Sequence, residues 1–498
     1  MNIRAIFLSI FFFLSINIWG QTFNTFFDND YTFETTLPIN ETDVLVSYLK
    51  ISSNSGNEKL AGEFLRDVCL QSGLNITQYG DENGNFNFAA SLYPLSQHKP
   101  NLIFINHIDV VPNGEVIRWM HPPLEGRIIN DEIWGRGAFD NKGMAVIQLS
   151  AIARFVTLAK TNELPFNITM LSLSCEETQC PGGARFIIEN YFEELNPWAV
   201  IGEGPPALQG VISSDPESYI YGIATGQKKA LWLKLELAVK SSGHSSVTPL
   251  EYSNQAMIKA LYELINDTPK IIFNTENRQI LTELGKLEGG IKGFALKNPN
   301  LFKPLIKKQL RKKPEVAALF SNTITLTSVS NPAIVQNAIP NKTTALLDCR
   351  LLPGTDVTTF IINLKKKLKN PNLTIEPVFE APDGGSSDKK HLVYKMLEQS
   401  IISYFGKDSK VLPFFLPNMT DSNWFRAKGI PVFDISPFRI NRNLLNCIHS
   451  YDERIPISGL VEGKEVFSLF ITKLIENMSP GFNPSNPVLY TQYVANKP

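Results

Sequence analysis

The chain has 498 residues, of which 43% are apolar and 19% charged, and a formal net charge of -1. That length calls for two or more domains and leaves ample volume for cores. The near-neutral balance argues against nucleic acid as a partner, and the composition is that of a soluble globular protein.

In chain order, Arg4 precedes an apolar run from Ala5 to Trp19, and Gly20 offers a small residue ahead of Gln21. This reads as a secretory signal peptide over 1–20, with an uncleaved anchor as the alternative, and implies a secreted or periplasmic protein. No later stretch reads as long and apolar enough to span a bilayer. Helical periodicity follows at 41–50 and 57–72, the second capped by Asn54 or Ser55. Strands are expected at 85–93, 101–106, 167–174 and 198–201, with helices from Lys142 and over 183–194. This alternation predicts an α/β sheet with helices on both faces, whose reactive groups gather beyond the carboxyl ends of the strands.

After Gly226 the rhythm changes. The run LWLKLELAV at 231–239 alternates as a half-buried antiparallel strand does. A helix at 253–266 and strands at 322–329 and 343–350 complete a small α+β insert. Within it, the basic segment 302–314 would present Leu301, Leu305, Ile306 and Leu310 as one helical face, either a solvated surface helix or a charged rim near a substrate entrance. From Leu351 the α/β rhythm resumes, with helices at 356–369, 389–404 and 459–477. The expected division is therefore 21–225 and 350–478 for the main domain, 226–349 for the insert, and 479–498 for a flexible tail rich in Pro and Asn.

The chemistry concentrates where strands end. His107 and Asp109 close an apolar run, Asp140 follows the glycine-rich GRGAFD, and Glu176 and Glu177 close the next strand. Imidazole and carboxylate are the donors that zinc and similar divalent ions take. Two such ions about 3.5–4 Å apart can share a carboxylate and a water, and a nearby carboxylate outside the ligand set can take the proton of that water. These segments supply four ligand candidates and a base, which leaves one ligand missing on each metal. Glu203 could add an acidic ligand, and the remaining histidines, His98, His121, His244, His391 and His449, are the other candidates, although each alone reads better as structural or as a surface residue. Five cysteines, odd in number and widely spread, argue against a disulfide framework. Cys175 and Cys447 lie beside the motifs, as small buried residues or thiolate ligands. A G-x-S-x-G elbow, a phosphate loop and H-E-x-x-H are all absent.

HxDVVP, GRGxxDxKG and the Glu-Glu pair, in this order, resemble the co-catalytic metallopeptidases that include carboxypeptidase S, aminoacylase, carnosinase and bacterial glutamate carboxypeptidase. The resemblance runs from about residue 40 to 477. It implies a mixed-sheet α/β catalytic domain interrupted by a small α+β lid domain, and two divalent metal ions, zinc first with cobalt or manganese as alternatives. It implies His107, Asp140, Glu177, Glu203 and His449 as metal ligands, with Asp140 bridging and its peptide bond to Asn141 cis. Glu176 would be the base, Asp109 the carboxylate that orients His107, and His244 an oxyanion contact from the lid. Gly202 stands where many relatives have Asp. Asn337 and Arg350 match positions that grip a substrate carboxylate, and Thr420 and Asp421, in TDSNWF, a further substrate loop. The insert and NTITLTSVS lean toward the carboxypeptidase S and N-fatty-acyl amino acid hydrolase branch, although Asn322 departs from the basic residue expected there.

The implied activity is hydrolysis of an amide next to a free carboxylate, in a dipeptide, a peptide C-terminus or an N-acyl amino acid. A same-fold aminopeptidase and a non-catalytic metal-binding protein are the alternatives. The implied partners are small molecules or short peptides, with no membrane span after signal cleavage and a monomer or lid-mediated homodimer as the assembly.

Overall fold

The computed structural model describes residues 40–478 except 81–84, 241–242, 268, 311 and 333–334, so the segments expected to be a signal peptide and a tail lie outside the described residues. An eight-stranded sheet runs in the order Asn75–Gly80, Phe86–Ser91, Asn167–Leu173, Asn101–His107, Pro197–Gly202, Val432–Asp434, Ile220–Gln227 and Lys410–Leu416. The four strands at its centre, from 167–173 to 432–434, are mutually parallel. Their carboxyl ends therefore meet at one edge, with His107 opposite Leu173 and Asp434 opposite Gly202.

These strands are apolar on both faces because both faces are covered. Leu102, Phe104, Ile168, Met170 and Ile201 point into one core with the helices Lys142–Ala153, Leu392–Phe405 and Ile457–Met478. Ile103, Ile105, Leu171, Leu173 and Val200 point into the other with the helix Ala184–Asn190. The stretch Lys142–Thr161 is long and apolar enough to cross a membrane, against the sequence expectation, yet 78% of its apolar window is buried inside the fold. Its apolarity is that of a core helix.

A separate four-stranded antiparallel sheet has the order Thr323–Ser330, Lys342–Leu351, Lys229–Ala238, Leu373–Glu380. Leu231, Leu233, Leu235 and Leu237 face the helices Ser253–Ile265 and Val357–Leu368, while Trp232, Lys234 and Glu236 alternate outward. The expected boundary at residue 350 is corrected here. The helix after 356 and the strand after 373 complete this small sheet, because Leu364, Leu368 and Leu373 are needed to close its core. The chain returns to the large sheet only beyond Glu380.

The segment between Ile271 and Phe320 does not join the small sheet either. Its helices Thr275–Glu288 and Lys303–Leu310 bury Ile280, Leu281, Ile306 and Leu310 around Phe415 of the edge strand, covering a sheet edge that would otherwise be free. Leu301 and Leu305 are exposed, so the predicted apolar face of the basic segment is halved.

Candidate active site

The parallel strand ends and one short hairpin assemble the site. Arg454–Pro456 pairs with Glu132–Trp134, which brings the segment after His449 against the glycine-rich turn before Asp140. Gly137 lies in that turn at φ +85, and a side chain there would strike Val110. The turn delivers Asp140, whose peptide bond to Asn141 is cis, as the resemblance implies.

His107 is buried, and its Nδ1 lies 2.8 Å from the Asp109 carbonyl oxygen. A proton on Nδ1 leaves the Nε2 lone pair for a cation. Nε2 stands 3.0 Å from Asp140 Oδ1 and 3.3 Å from Glu203 Oε2. On the other side, His449 Nε2 lies 3.1 Å from Asp140 Oδ2 and 3.1 Å from Glu177 Oε1. Asp140 thus turns one oxygen to each histidine. The donor atoms of His107, Asp140 and Glu203 lie within 4.8 Å of one another, as do those of Asp140, Glu177 and His449. Three carboxylates and two imidazoles so arranged fit two divalent cations that share Asp140.

The charges shift as such crowding requires. Burial pushes the Asp140 carboxyl up, but hydrogen bonds from His107 and His449 outweigh it and hold it well below the usual range. Bonds to Asp140 and Glu177 push His449 up to about 10. Burial opposes charge on His107, yet Asp109, Asp140 and Glu203 raise it well above its ordinary value. Glu176 belongs to neither set. It lines a small cavity with His107, Glu203, Thr420 and Asp421, and burial, with Glu203 nearby, pushes its carboxyl well up. Burial does the same to Asp421, while Thr420 Oγ1 is tied to Gln227.

Asp109 does more than the resemblance implies. Its carboxylate accepts the backbone N–H groups of Glu176 at 3.0 Å and Glu177 at 3.1 Å, and the Ser55 hydroxyl at 2.6 Å. One side chain therefore fixes the turn that carries both glutamates. Ser55 is engaged here instead of capping a helix. The helix is Lys59–Gln71, preceded by Glu58 without a side-chain cap bond.

Glu453 was missed as a functional residue. Fully buried, it accepts the N–H groups of Phe139 and Asp140, each at 3.0 Å, and pairs with Arg136 at 2.6 Å. A buried acid four residues after His449 and an Arg inside the glycine turn were the available signals. Asn141 Nδ2 holds Glu203 Oε2 at 2.5 Å. Gly202 has no room for a side chain, since Ser422 Oγ and Asp434 Oδ1 fill that space. A disulfide joins Cys175 to Cys180, so Cys175 is no ligand. Cys447 contacts Arg454 and belongs to neither donor set.

The small sheet does not bring its expected residues to this cluster. His244 is exposed and contacts Ser246 at 2.8 Å and Asn337 at 3.1 Å. Arg350 is held by both oxygens of Asp348, at 2.8 and 2.9 Å. Asn337 lies beyond Lys342, which pairs with Ala238, whereas Arg350 pairs with Ala230. Eight residues of extended strand, roughly 26 Å, separate those ends. Asn337 and Arg350 therefore meet different partners, His244 and Asp348.

The relatives of this chain make it a hydrolytic enzyme of the peptidase class. The chain belongs to Peptidase family M20/M25/M40, whose model matches residues 103–473. It is 25% identical over 382 residues to a probable carboxypeptidase S-like 2 of Dictyostelium discoideum, covering 75% of this chain and 72% of that one. It is 27% identical over 405 residues to the human N-fatty-acyl-amino acid synthase/hydrolase PM20D1, covering 79% and 78%. In fold it resembles an M20 family metallo-carboxypeptidase of Sulfolobus solfataricus, with a TM-score of 0.67, 22% identity, and 88% of this chain and 100% of that one covered. Human carnosine dipeptidase 1 follows with a TM-score of 0.64 and 14% identity, over 88% of this chain and 96% of that one.

Proposed function

We propose that the protein is a dinuclear-metal amidohydrolase that cuts an amide next to a free carboxylate, in a dipeptide, a peptide C-terminus or an N-acyl amino acid. The observation that carries this reading is the pair of donor sets sharing Asp140, with Glu176 beside them and outside both. His107, Asp140 and Glu203 would hold one ion, and Asp140, Glu177 and His449 the other. Zinc suits this mixture of nitrogen and oxygen donors. When bound, such ions lower the pKa of water and polarise a carbonyl.

Glu176 takes the proton of the attacking water and hands it to the leaving amine. A carboxyl whose affinity for protons is raised by burial is matched to that relay. Thr420 and Asp421, on the same cavity wall, are placed to contact the substrate. A protein that only bound metal would have no use for a buried base there. The names of the relatives support a peptidase or N-acyl amino acid hydrolase. The disulfide supports the expected export, because such bonds persist in oxidising compartments.

The test is Glu176→Gln in zinc-loaded protein, assayed on dipeptides, N-acyl amino acids and their C-terminal amides. Turnover should fall by about 10²–10⁴-fold while zinc content stays at wild-type level. Full activity in the variant, or equal cleavage of acids and amides by the wild type, would sink the reading.

A further inference from the structure

The turn that carries Glu176 and Glu177 is enclosed in a covalent ring. Cys175 follows the strand Asn167–Leu173 after one residue, and its disulfide to Cys180 closes a loop containing both glutamates. Asp109 fixes the first half of the turn through the two backbone N–H groups. The second half is secured differently. Gln179 Nε2 donates to the Glu176 carbonyl at 2.7 Å, and the Gly182 N–H and Asn85 amide donate to Cys180 Sγ at 3.4 and 3.6 Å.

The backbone needs that restraint. Cys175 and Gln179 have φ of +64 and +50, in the left-handed region that residues with a side chain adopt only when their surroundings over-determine them. These two positions bracket the glutamates. Released, both have more favourable conformations available, and each would swing the intervening carboxylates.

We infer that the Cys175–Cys180 disulfide is a positioning element of the hydrolytic site, which holds Glu176 and Glu177 in place and makes turnover and metal retention depend on its oxidation. The inference rests on the roles assigned to those glutamates above. Cys175 is buried and Cys180 half-buried, so Cys180 Sγ is the sulfur a reductant reaches. A thiol reductant attacks it and the S–S bond breaks, with Cys175 leaving as thiolate and taking a proton. A second thiol then displaces Cys180, and the reductant leaves as its own disulfide.

The experiment uses the zinc-loaded chain treated with tris(2-carboxyethyl)phosphine. The phosphine is oxidised to its oxide with the oxygen of one water, whose two hydrogens end on the cysteines. Alkylation in denaturant, which exposes the buried Cys69 and Cys349, should then count five thiols where the oxidised protein has three, since Cys69, Cys349 and Cys447 are already free. We expect kcat to fall by about 10–100-fold with little change in KM, the size seen when the support of a metal ligand is removed. Activity should return on reoxidation.

A Cys175→Ser/Cys180→Ser variant should show the same low kcat and no response to phosphine. In that variant, chelator competition should find one zinc site weakened by about 10–100-fold. Its Glu176 and Glu177 amides should exchange faster with deuterium. If the variant does not fold, reversible reduction of the wild type carries the test. Five thiols with kcat, zinc affinity and amide exchange unchanged would overturn the inference. Oxidised protein that binds two zinc ions yet cleaves nothing would instead overturn the proposed function, and the zinc and exchange readouts would still judge the disulfide.

Discussion

At the carboxyl edge of the large sheet, Asp109 and Glu453 are buried and each accepts three hydrogen bonds, two of them from backbone N–H groups of the turns that carry the cluster. At the far end of the small sheet, His244 and Asn337 are exposed and bonded to each other. The first region is held in place by the fold itself, through buried carboxylates and backbone N–H groups. The second is a polar pair on a surface, and any contact with substrate requires movement or a partner. Preorganisation of this kind is where a site's selectivity for its ions and its catalytic precision come from.

Four experiments sharpen that contrast. Asp140→Ala should have the largest effect. Because both donor sets use this residue, elemental analysis should find both ions lost together and turnover abolished. Retention of one tightly held ion would show that Asp140 is not shared.

Glu453→Ala comes next. It strands the buried Arg136 guanidinium and frees the Asp140 amide, and breaking a buried pair this way costs roughly 3–5 kcal/mol. Urea denaturation should show that loss, and an unchanged midpoint would remove Glu453 from the supporting structure.

The third experiment concerns a buried histidine. His391 caps the helix Leu392–Phe405 through Nδ1, and burial lowers it from the usual 6.5 to about 4. Between those values the unfolded chain binds a proton that the folded chain does not, so stability rises with pH across the window. The contribution is complete above pH 6.5 and disappears as pH falls toward 4. At about 1.4 kcal/mol per pKa unit, it amounts to roughly 3 kcal/mol. His391→Asn keeps a capping acceptor without the titration, so its loss of stability from pH 7 to pH 4 should be smaller than the wild type's by that amount. Parallel pH profiles would refute this.

His244→Ala should have the smallest effect on the folded protein. Stability should stay within about 0.5 kcal/mol of wild type, as for an exposed substitution, with zinc content unchanged. Zinc loss would place His244 in the cluster after all.

Much of the catalytic half was legible in the chain. His449 lies in a turn after a short helix, and only the family resemblance singled it out. His107, Glu177 and Glu203 sit at or just after the end of a buried apolar strand and Asp140 in a turn rich in glycine, positions that local pattern is enough to find. Period-2 alternation in 231–239 marked the small sheet for the same reason. The boundary at residue 350 failed because a helix followed by a strand looks alike in either domain. Only pairing with Lys229–Ala238 assigned Leu373–Glu380 to the smaller sheet.

By itself, then, the sequence determined the strand ends, the donor residues and the order of motifs, since these depend on short-range pattern and residue chemistry. Tertiary structure alone decided the rest. That Asp109 cradles the glutamate turn, that Glu453 holds Asp140 from 313 residues away, and that Cys175 pairs with Cys180 all depend on which segments meet. The partners of Asn337 and Arg350 are of the same kind: both residue types suit a carboxylate, but Arg350 sits in the strand Lys342–Leu351 against Asp348, and Asn337 outside it against His244.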